Sequence, residues 1–388
     1  MKRRIKSIAI LLVFFCLTAC NQTETKSDDT KQVSGFAKSV GGIEPESAEG
    51  GVYLFSTGVF SDRGDNGAIL EYWNLEGDVS VPLCSKANCM HNDKSCDAWF
   101  KQPYVASLQK YGKKLYLWCG YGASASLYSV NLDGSGREKV CGFSGDRVAG
   151  NVMSSVVTGD NCYVHMAYAQ DRNGSDVDGV YRVSLKDGTA ELIRMNNEDT
   201  EWKEHRLYNV VYDQGTVYYE IVEYRTGEAR SRIYAYNEES KEDALLLEAD
   251  ETVSAIVADN KLYYTRYLDE NAEDKLFVLD LDTGTEETIT VPHAGYMTYD
   301  GTWLYLLDAR EQDSAEYIIC NTDGNVVDRI QDGFEGEYEW IASATLQDQI
   351  VFMGEDITED AITIDYHIVN KSAIGNGEIH YYEKTFTD

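Results

Sequence analysis

Proline, positive charge and long apolar runs are all scarce in this chain of 388 residues. It has only 4 Pro, and its 66 Asp and Glu outnumber its 34 Lys and Arg, giving a formal net charge of −32. Because nucleic-acid binding needs a basic surface, this acid excess argues against a nucleic-acid partner. Beyond the first 19 residues, no apolar run approaches the roughly 18 residues of a membrane-spanning helix.

The first 19 residues have the pattern of an export signal. Four basic residues lie between positions 2 and 6, and a short apolar segment follows at 8–17. The next residues, "LTAC" at 17–20, resemble the lipobox of bacterial lipoproteins. The resemblance implies cleavage just before Cys20, a diacylglyceryl group on its thiol, and anchoring at the outer face of the cytoplasmic membrane. The alternative is an ordinary secretion signal (residues 1–19) in which Cys20 has no role.

The segment after Cys20 has the composition of a linker. It is rich in Ser, Thr, Asp, Glu, Lys and Gly as far as about residue 50. Such a composition buries too little apolar surface to fold, so residues 20–50 are predicted to be a flexible tether. Residues 51–388 exceed the usual size of one compact core, which favours two domains or a repeat architecture.

A repeated pattern fills this folded part. A turn rich in Asp, Gly or Asn precedes an apolar strand with an aromatic residue at its centre, and the copies lie about 42 to 63 residues apart. The matched positions are Tyr53, Tyr116, Tyr163, Tyr218, Tyr263, Tyr305 and Phe352. This spacing is typical of propeller blades.

One copy shows the internal organisation of a block. Within residues 252–291, "VSAIVA", "KLYYTRY", "KLFVLDL" and "EETITV" read as four strands separated by turns. We therefore predict an all-β fold, a β-propeller with seven four-stranded antiparallel blades. Six or eight blades, or a two-sheet or two-domain all-β protein, are the alternatives. The first block lacks an obvious first strand, and we expect the terminal strand at 378–384 to complete it.

The repeats also carry a resemblance to a known family. "SLYSVNLDGSGREKV" at 126–140, "NKLYYTRY" at 260–267 and the lipobox resemble uncharacterised propeller lipoproteins of Gram-positive, often gut, bacteria. Those proteins carry a DUF5050-like, TolB-like repeat. The resemblance covers roughly residues 50–384 and implies the fold, whereas it does not choose a function.

A short loop at 83–100 concentrates metal-binding side chains. Cys84, Cys89, His91 and Cys96 lie within thirteen residues. Three thiolates and one imidazole form the ligand set of a closed Cys3His zinc site, so a structural zinc ion is the candidate cofactor. Neighbouring Asn and Asp residues form turns easily and let a short chain wrap around an ion.

Two other states of this loop stay open. A Cys84–Cys96 disulfide would close a loop of about 13 residues and contribute roughly 3 kcal/mol. The third state is reduced thiols without a ligand. Seven cysteines follow Cys20, and this odd number prevents complete pairing within one chain.

No residue of the sequence stands out as catalytic. His165 and His380 lie in predicted strands, where we expect packing roles. The leading interpretation is a membrane-anchored binding or scaffold module that engages a protein or glycan through a propeller face. The alternative is an extracytoplasmic enzyme acting on carbohydrate or peptide.

Overall fold

The computed structural model describes residues 45–387 with internal gaps. The gaps are 57–66, 102–104, 121–124, 143–148, 171–176, 197–203, 226–227, 252, 267–274, 293–295, 309–315, 335–339 and 358–361. The predicted signal peptide, Cys20 and most of the predicted tether lie outside the described residues. Within the described ranges, no helix is long and apolar enough to cross a membrane.

Seven antiparallel sheets follow one another along the chain, and each pairs its strands in sequence order. Blade 1 holds β1 (Glu46–Ala48), β2 (Gly51–Ser56), β3 (Ala68–Asn74) and β4 (Val79–Pro82), with the short β5 (Trp99–Phe100) added on β3. Blade 2 holds β6 (Val105–Tyr111), β7 (Lys114–Cys119), β8 (Ser126–Asn131) and β9 (Glu138–Gly142). Blade 3 holds β10 (Ala149–Thr158), β11 (Asn161–Gln170), β12 (Gly179–Ser184) and β13 (Ala190–Met195).

The remaining blades repeat this order. Blade 4 holds β14 (Glu204–Asp213), β15 (Thr216–Arg225), β16 (Glu228–Asn237) and β17 (Asp243–Ala249). Blade 5 holds β18 (Val253–Ala258), β19 (Lys261–Arg266), β20 (Lys275–Asp280) and β21 (Glu286–Thr290). Blade 6 holds β22 (Tyr296–Tyr299), β23 (Leu304–Asp308), β24 (Glu316–Cys320) and β25 (Val326–Gln331). Blade 7 holds β26 (Trp340–Thr345), β27 (Gln349–Ile357), β28 (Ile362–Asn370) and β29 (Tyr381–Thr387), with a 3-10 turn at Lys371–Ala373.

The prediction of a seven-bladed β-propeller is therefore confirmed, and the blade count is neither six nor eight. All seven matched aromatic positions lie on the second strand of their blades. The four strands read from residues 252–291 are those of blade 5, with ends shifted by at most one residue.

Local turn chemistry explains why each block folds as a meander. In blade 5, the turn from β18 to β19 places Asp259 and Asn260 at φ 49 and 59, a conformation that Asn and Asp tolerate. In the outer turn, the Asp280 Oδ1 accepts the backbone N–H of Thr283 at 2.8 Å. Gly284 then supplies the positive φ of 68 that sends the chain back along β21.

The first strand of each blade lies towards the ring centre, because side chains of neighbouring first strands meet. The Ser107 and Ser155 hydroxyls of β6 and β10 are 2.8 Å apart, and those of Thr298 and Thr345 on β22 and β26 are 2.9 Å apart. The fourth strands are mostly exposed, as in β21. This order puts the outer hairpins at the rim of the ring.

Each pair of neighbouring blades shares its own hydrophobic cluster, so the core consists of seven seams. Each cluster draws members from both blades. In ring order from blades 1 and 2 to blades 7 and 1, the clusters include Leu70 and Leu117, Trp118 and Val164, Tyr163 and Tyr219, Ile233 and Tyr264, Ile256 and Leu306, Tyr305 and Phe352, and Val351 and Trp73. Alternation along the strands supplies both seams of a blade, since successive residues face opposite neighbouring blades.

The ring closes by side-chain packing between blades 7 and 1. The expectation that the terminal strand completes the first blade was wrong: β29 pairs with β28 in blade 7, and β1 supplies the first strand of blade 1. Closure rests on the seam around Trp73 and on the Ser47 hydroxyl, which donates to the Gln349 Oε1 at 3.0 Å. β1 lies within the range predicted as tether, so the folded part extends upstream of residue 51.

Candidate metal centre

The loop that carries the four predicted ligands lies between two short strands that both pair with β3. Its first flank is β4, and its second is β5, which pairs Trp99 with Ile69 of β3. The backbone N–H of Leu83 donates to the Leu70 carbonyl at 2.8 Å, and the N–H of Leu70 donates to the Ala98 carbonyl at 2.8 Å. Because both flanks are hydrogen-bonded to the same strand edge, the loop is held at its base before any ligand binds.

The structure brings all four predicted ligands together. The sulfur atoms of Cys84, Cys89 and Cys96 and a ring nitrogen of His91 all lie within 4.8 Å of one another. The His91 Nδ1 is 3.2 Å from the Cys96 sulfur. Tetrahedral zinc, with Zn–S bonds of about 2.3 Å and Zn–N bonds of about 2.0 Å, separates its ligand atoms by roughly 3.5 to 3.8 Å. The cluster is therefore of a size that can hold a metal ion.

Turn residues produce this convergence. Asn88 and His91 adopt positive φ values of 58 and 55, which reverse the chain between the ligands. The Asp93 Oδ1 accepts the backbone N–H of Ser95 at 2.7 Å, and the Asp93 carbonyl accepts the N–H of Cys96 at 3.0 Å. Lys86 then bridges the two sides of the loop through the Ser95 carbonyl and the Asp97 carboxylate.

The electrostatics around the sulfur atoms differ between the two ends of the loop. Burial acts to raise the pKa of Cys84. Hydrogen bonds from the backbone N–H groups of Lys86 and Asp97, together with those from the Cys96 and Cys89 thiols, outweigh this effect and lower the pKa. Burial raises the pKa of Cys96 to about 12. Cys96 is fully buried, and a cation beside it would offset the cost of its thiolate.

Blade 2 presses directly against this loop. A Cβ atom on Gly134, in the turn before β9, would lie 2.4 Å from the Leu83 carbonyl and 2.7 Å from the Cys84 nitrogen, so only glycine fits there. The Arg137 guanidinium donates to the Trp99 carbonyl and, at 2.9 Å, to the Lys94 carbonyl. It also lies 5.1 Å from the centre of the Phe100 ring.

The donor set has a clear chemical preference. The four ligands are all soft or borderline donors, the set that zinc takes in structural sites, and four of them complete a tetrahedral coordination. All seven cysteines among the described residues are free thiols, including the three of this loop. No other group of three or more His, Cys, Asp or Glu side chains with such convergent atoms occurs in the described part of the chain.

Four ion pairs that are largely shielded from solvent, which the sequence reasoning missed, join or brace the blades. Glu223 is fully buried on β15 and accepts hydrogen bonds from Arg230 and Arg232 of β16. Two further pairs cross seams: Arg194 to Asp243 at 2.6 Å between blades 3 and 4, and Lys371 to Asp300 at 2.8 Å between blades 7 and 6. With 66 acidic residues to choose from, only the tertiary register shows which ones pair.

Two buried titratable side chains lack hydrogen-bond partners on some or all of their polar atoms. His165 is buried as expected, but both its ring nitrogens lack partners among the described residues, and burial lowers its pKa to about 3. The Oε1 of Glu220, on β15, also lacks a partner within the described ranges. Burial raises the pKa of Glu220 to about 8.

Glu220 should therefore make stability depend on pH. Its folded pKa lies above its ordinary value of 4.5, so between these two values the folded chain holds a proton that the unfolded chain releases. The free energy of unfolding should fall as the pH rises through this window, by up to about 1.4 kcal/mol per unit. The Glu220→Gln variant should lose this slope in urea titrations between pH 5 and 8. The exposed Glu287→Gln serves as its control, and parallel profiles for Glu220→Gln and wild type would contradict the prediction.

The comparisons with known proteins agree with the fold. No protein-family model matches the chain, and no curated protein sequence matches it. Among solved structures, it is similar to a prolyl endopeptidase (15% identity, TM-score 0.57, 92% of this chain and 51% of the other). It is also similar to prolyl oligopeptidase B from Galerina marginata (12%, 0.51, 89% and 50%) and to TolB from Acinetobacter baumannii (14%, 0.42, 72% and 62%).

The seven antiparallel blades define the class of this protein as a β-propeller repeat protein. The chain spans about half the length of the two peptidases and less than two thirds of TolB. At such low identities the likeness concerns the fold alone. The propeller part of the sequence resemblance is thus supported, whereas lipidation remains a prediction.

Proposed function

We propose that this protein is a lipid-anchored, extracytoplasmic binding or scaffold module that engages a protein or a glycan through one face of its propeller. Cys20 carries the anchor, the segment up to about residue 44 spans the distance to the ring, and one structural zinc ion holds the loop at 83–100. Propellers offer two faces formed by the loops at the strand ends, and partners bind at such surfaces in many members of the class.

The observation that carries this proposal is the closed ligand set of Cys84, Cys89, His91 and Cys96. A catalytic zinc site keeps one coordination position for water or substrate, whereas four protein ligands leave none. The cluster also lies at the rim, on the outer edge of blade 1, away from the first strands that line the centre. A metal ion there serves the architecture of the loop.

The ion pairs between and within blades support the same conclusion. Arg194 with Asp243 and Lys371 with Asp300 join neighbouring blades, and Glu223 braces two strands of blade 4. Glu223 is fully buried, and breaking a buried pair typically costs about 3 to 5 kcal/mol, because one charge is left without compensation. These charged side chains therefore stabilise the ring.

A binding screen tests the proposed function. The soluble form that lacks residues 1–20 would be applied to a glycan array and used to capture proteins from cell-envelope extracts. Saturable binding of one glycan class or one protein, retained at physiological salt, supports the binding module. Turnover of an oligosaccharide or peptide in the same assays would instead favour the enzyme alternative.

The anchor gives a separate prediction. The Cys20→Ser variant should move from the membrane fraction to the soluble extracytoplasmic fraction, since two acyl chains are needed for stable anchoring. Cys16→Ser, in the apolar segment of the same signal peptide, is the matched control and should stay in the membrane fraction. Membrane association of Cys20→Ser equal to that of Cys16→Ser would contradict lipidation.

A further inference from the structure

We propose that Arg137 of blade 2 is a positioning residue for the metal centre of blade 1, so that metal binding and the docking of the loop on blade 2 stabilise each other. The inference rests on the zinc ion proposed above and adds its coupling to the seam between blades 1 and 2.

The contacts of Arg137 enclose the last ligand. Its guanidinium donates to the carbonyl of Lys94, two residues before Cys96, and to the carbonyl of Trp99, three residues after it. The same group lies over the Phe100 ring, 5.1 Å from its centre. Because these two carbonyls bracket Cys96, Arg137 fixes the chain segment that carries the buried sulfur.

The first ligand is held from the same blade. Gly134 approaches the backbone of Leu83 and Cys84 so closely that a side chain cannot fit. Gly134 and Arg137 belong to the single turn between β8 and β9, and the backbone N–H of Gly134 donates to the Asn131 carbonyl at 2.8 Å. One outer turn of blade 2 therefore touches the chain at both the first and the last of the four ligands.

The coupling must act in both directions. If the turn at 131–137 orders the ligands, it raises metal affinity, and bound metal must hold the turn in place by the same factor. The loop has a small apolar cluster of its own, built on Cys96, Ala98 and Trp99. With so little core, the loop depends on the metal and on blade 2 for its fixed conformation.

The test compares zinc affinity and local exchange in the full chain. Chelator competition should show that Arg137→Gln binds zinc about 10-fold more weakly than wild type, the lower end of the effect of groups that orient metal ligands. The matched control is Arg329→Gln. Arg329 lies in the outer strand of blade 6 and forms an ion pair with Glu316 of the neighbouring strand, so this variant should bind zinc as wild type does.

Hydrogen exchange supplies the second readout. Removal of zinc from wild type should raise deuterium uptake at 131–142 of blade 2, while the equivalent hairpin at 280–290 of blade 5 stays unchanged. In Arg137→Gln the uptake at 131–142 should be high with and without zinc. If this variant does not fold, Arg137→Lys replaces it, since lysine keeps the charge and loses the two-pronged donation.

Three results would overturn the inference. The coupling is absent if Arg137→Gln binds zinc with wild-type affinity. It is also absent if deuterium uptake at 131–142 is the same with and without zinc. Either result leaves the zinc site in place. A wild-type chain that binds no zinc removes both the coupling and the proposed zinc ion.

Discussion

The Cys96→Ser variant should contain no zinc, whereas the wild-type chain should carry one zinc ion. Cys96 is the fully buried ligand, and its sulfur lies 3.2 Å from the His91 Nδ1, so its loss leaves an incomplete site at the base of the loop. Metal that binds only the folded state stabilises it by about 4 kcal/mol when free zinc exceeds the dissociation constant 1,000-fold. Elemental analysis measures the metal, and thermal unfolding with and without chelator measures its contribution.

The control for this variant is Cys320→Ala. Cys320 is a fully buried thiol in the seam between blades 5 and 6, far along the chain from the loop. Its variant should keep one zinc ion and lose only the stability that a small cavity costs. Thiol counting separates the other states: a disulfide in the wild-type loop, or three free thiols there without metal, would contradict the zinc prediction.

The second large effect is expected at the ring closure, where Trp73→Ala should lower the free energy of unfolding by about 3 to 5 kcal/mol. Trp73 is 1% exposed and packs against Val351, Met353 and other apolar residues of blade 7. No strand passes from one blade to the other among the described residues, so this seam depends on side-chain packing. Urea unfolding monitored by circular dichroism measures the loss.

The matched control is Trp303→Ala. Trp303 is only half-buried at the seam between blades 6 and 7, and its removal should cost clearly less. If both variants lose the same free energy of unfolding, packing around Trp73 does not carry the closure. If wild type and Trp73→Ala unfold at the same urea concentration, the closure depends on other contacts.

Much of the fold could be predicted because its determinants are local. The four strands of blade 5 were readable from alternation and from the turns that begin at Asp259 and Asp282, since hairpin register depends on neighbouring residues. The ligand set was readable for the same reason, as Cys84, Cys89, His91 and Cys96 lie in one short loop. The structure adds that the four ligand atoms lie within 4.8 Å of one another, which the spacing in the sequence did not establish.

The errors and omissions concern contacts between residues far apart in the chain. The sequence of the terminal strand β29 is compatible with the fourth strand of blade 7 and with a missing strand of blade 1, because the sequence of a strand does not specify which strand it pairs with. The short β1 carries too few residues for a pattern to show. The pairing of Arg194 with Asp243, and of Lys371 with Asp300, depends on how separate blades pack.

The sequence by itself determined the repeat, the blade as a meander and the identity of the four candidate ligands, because each depends on residues close in the chain. Tertiary structure alone decided how the ring closes, which charges pair with each other, and that Gly134 and Arg137 of blade 2 hold the loop of blade 1. Those features arise where blades meet, and packing between distant segments follows from the shape of the whole ring.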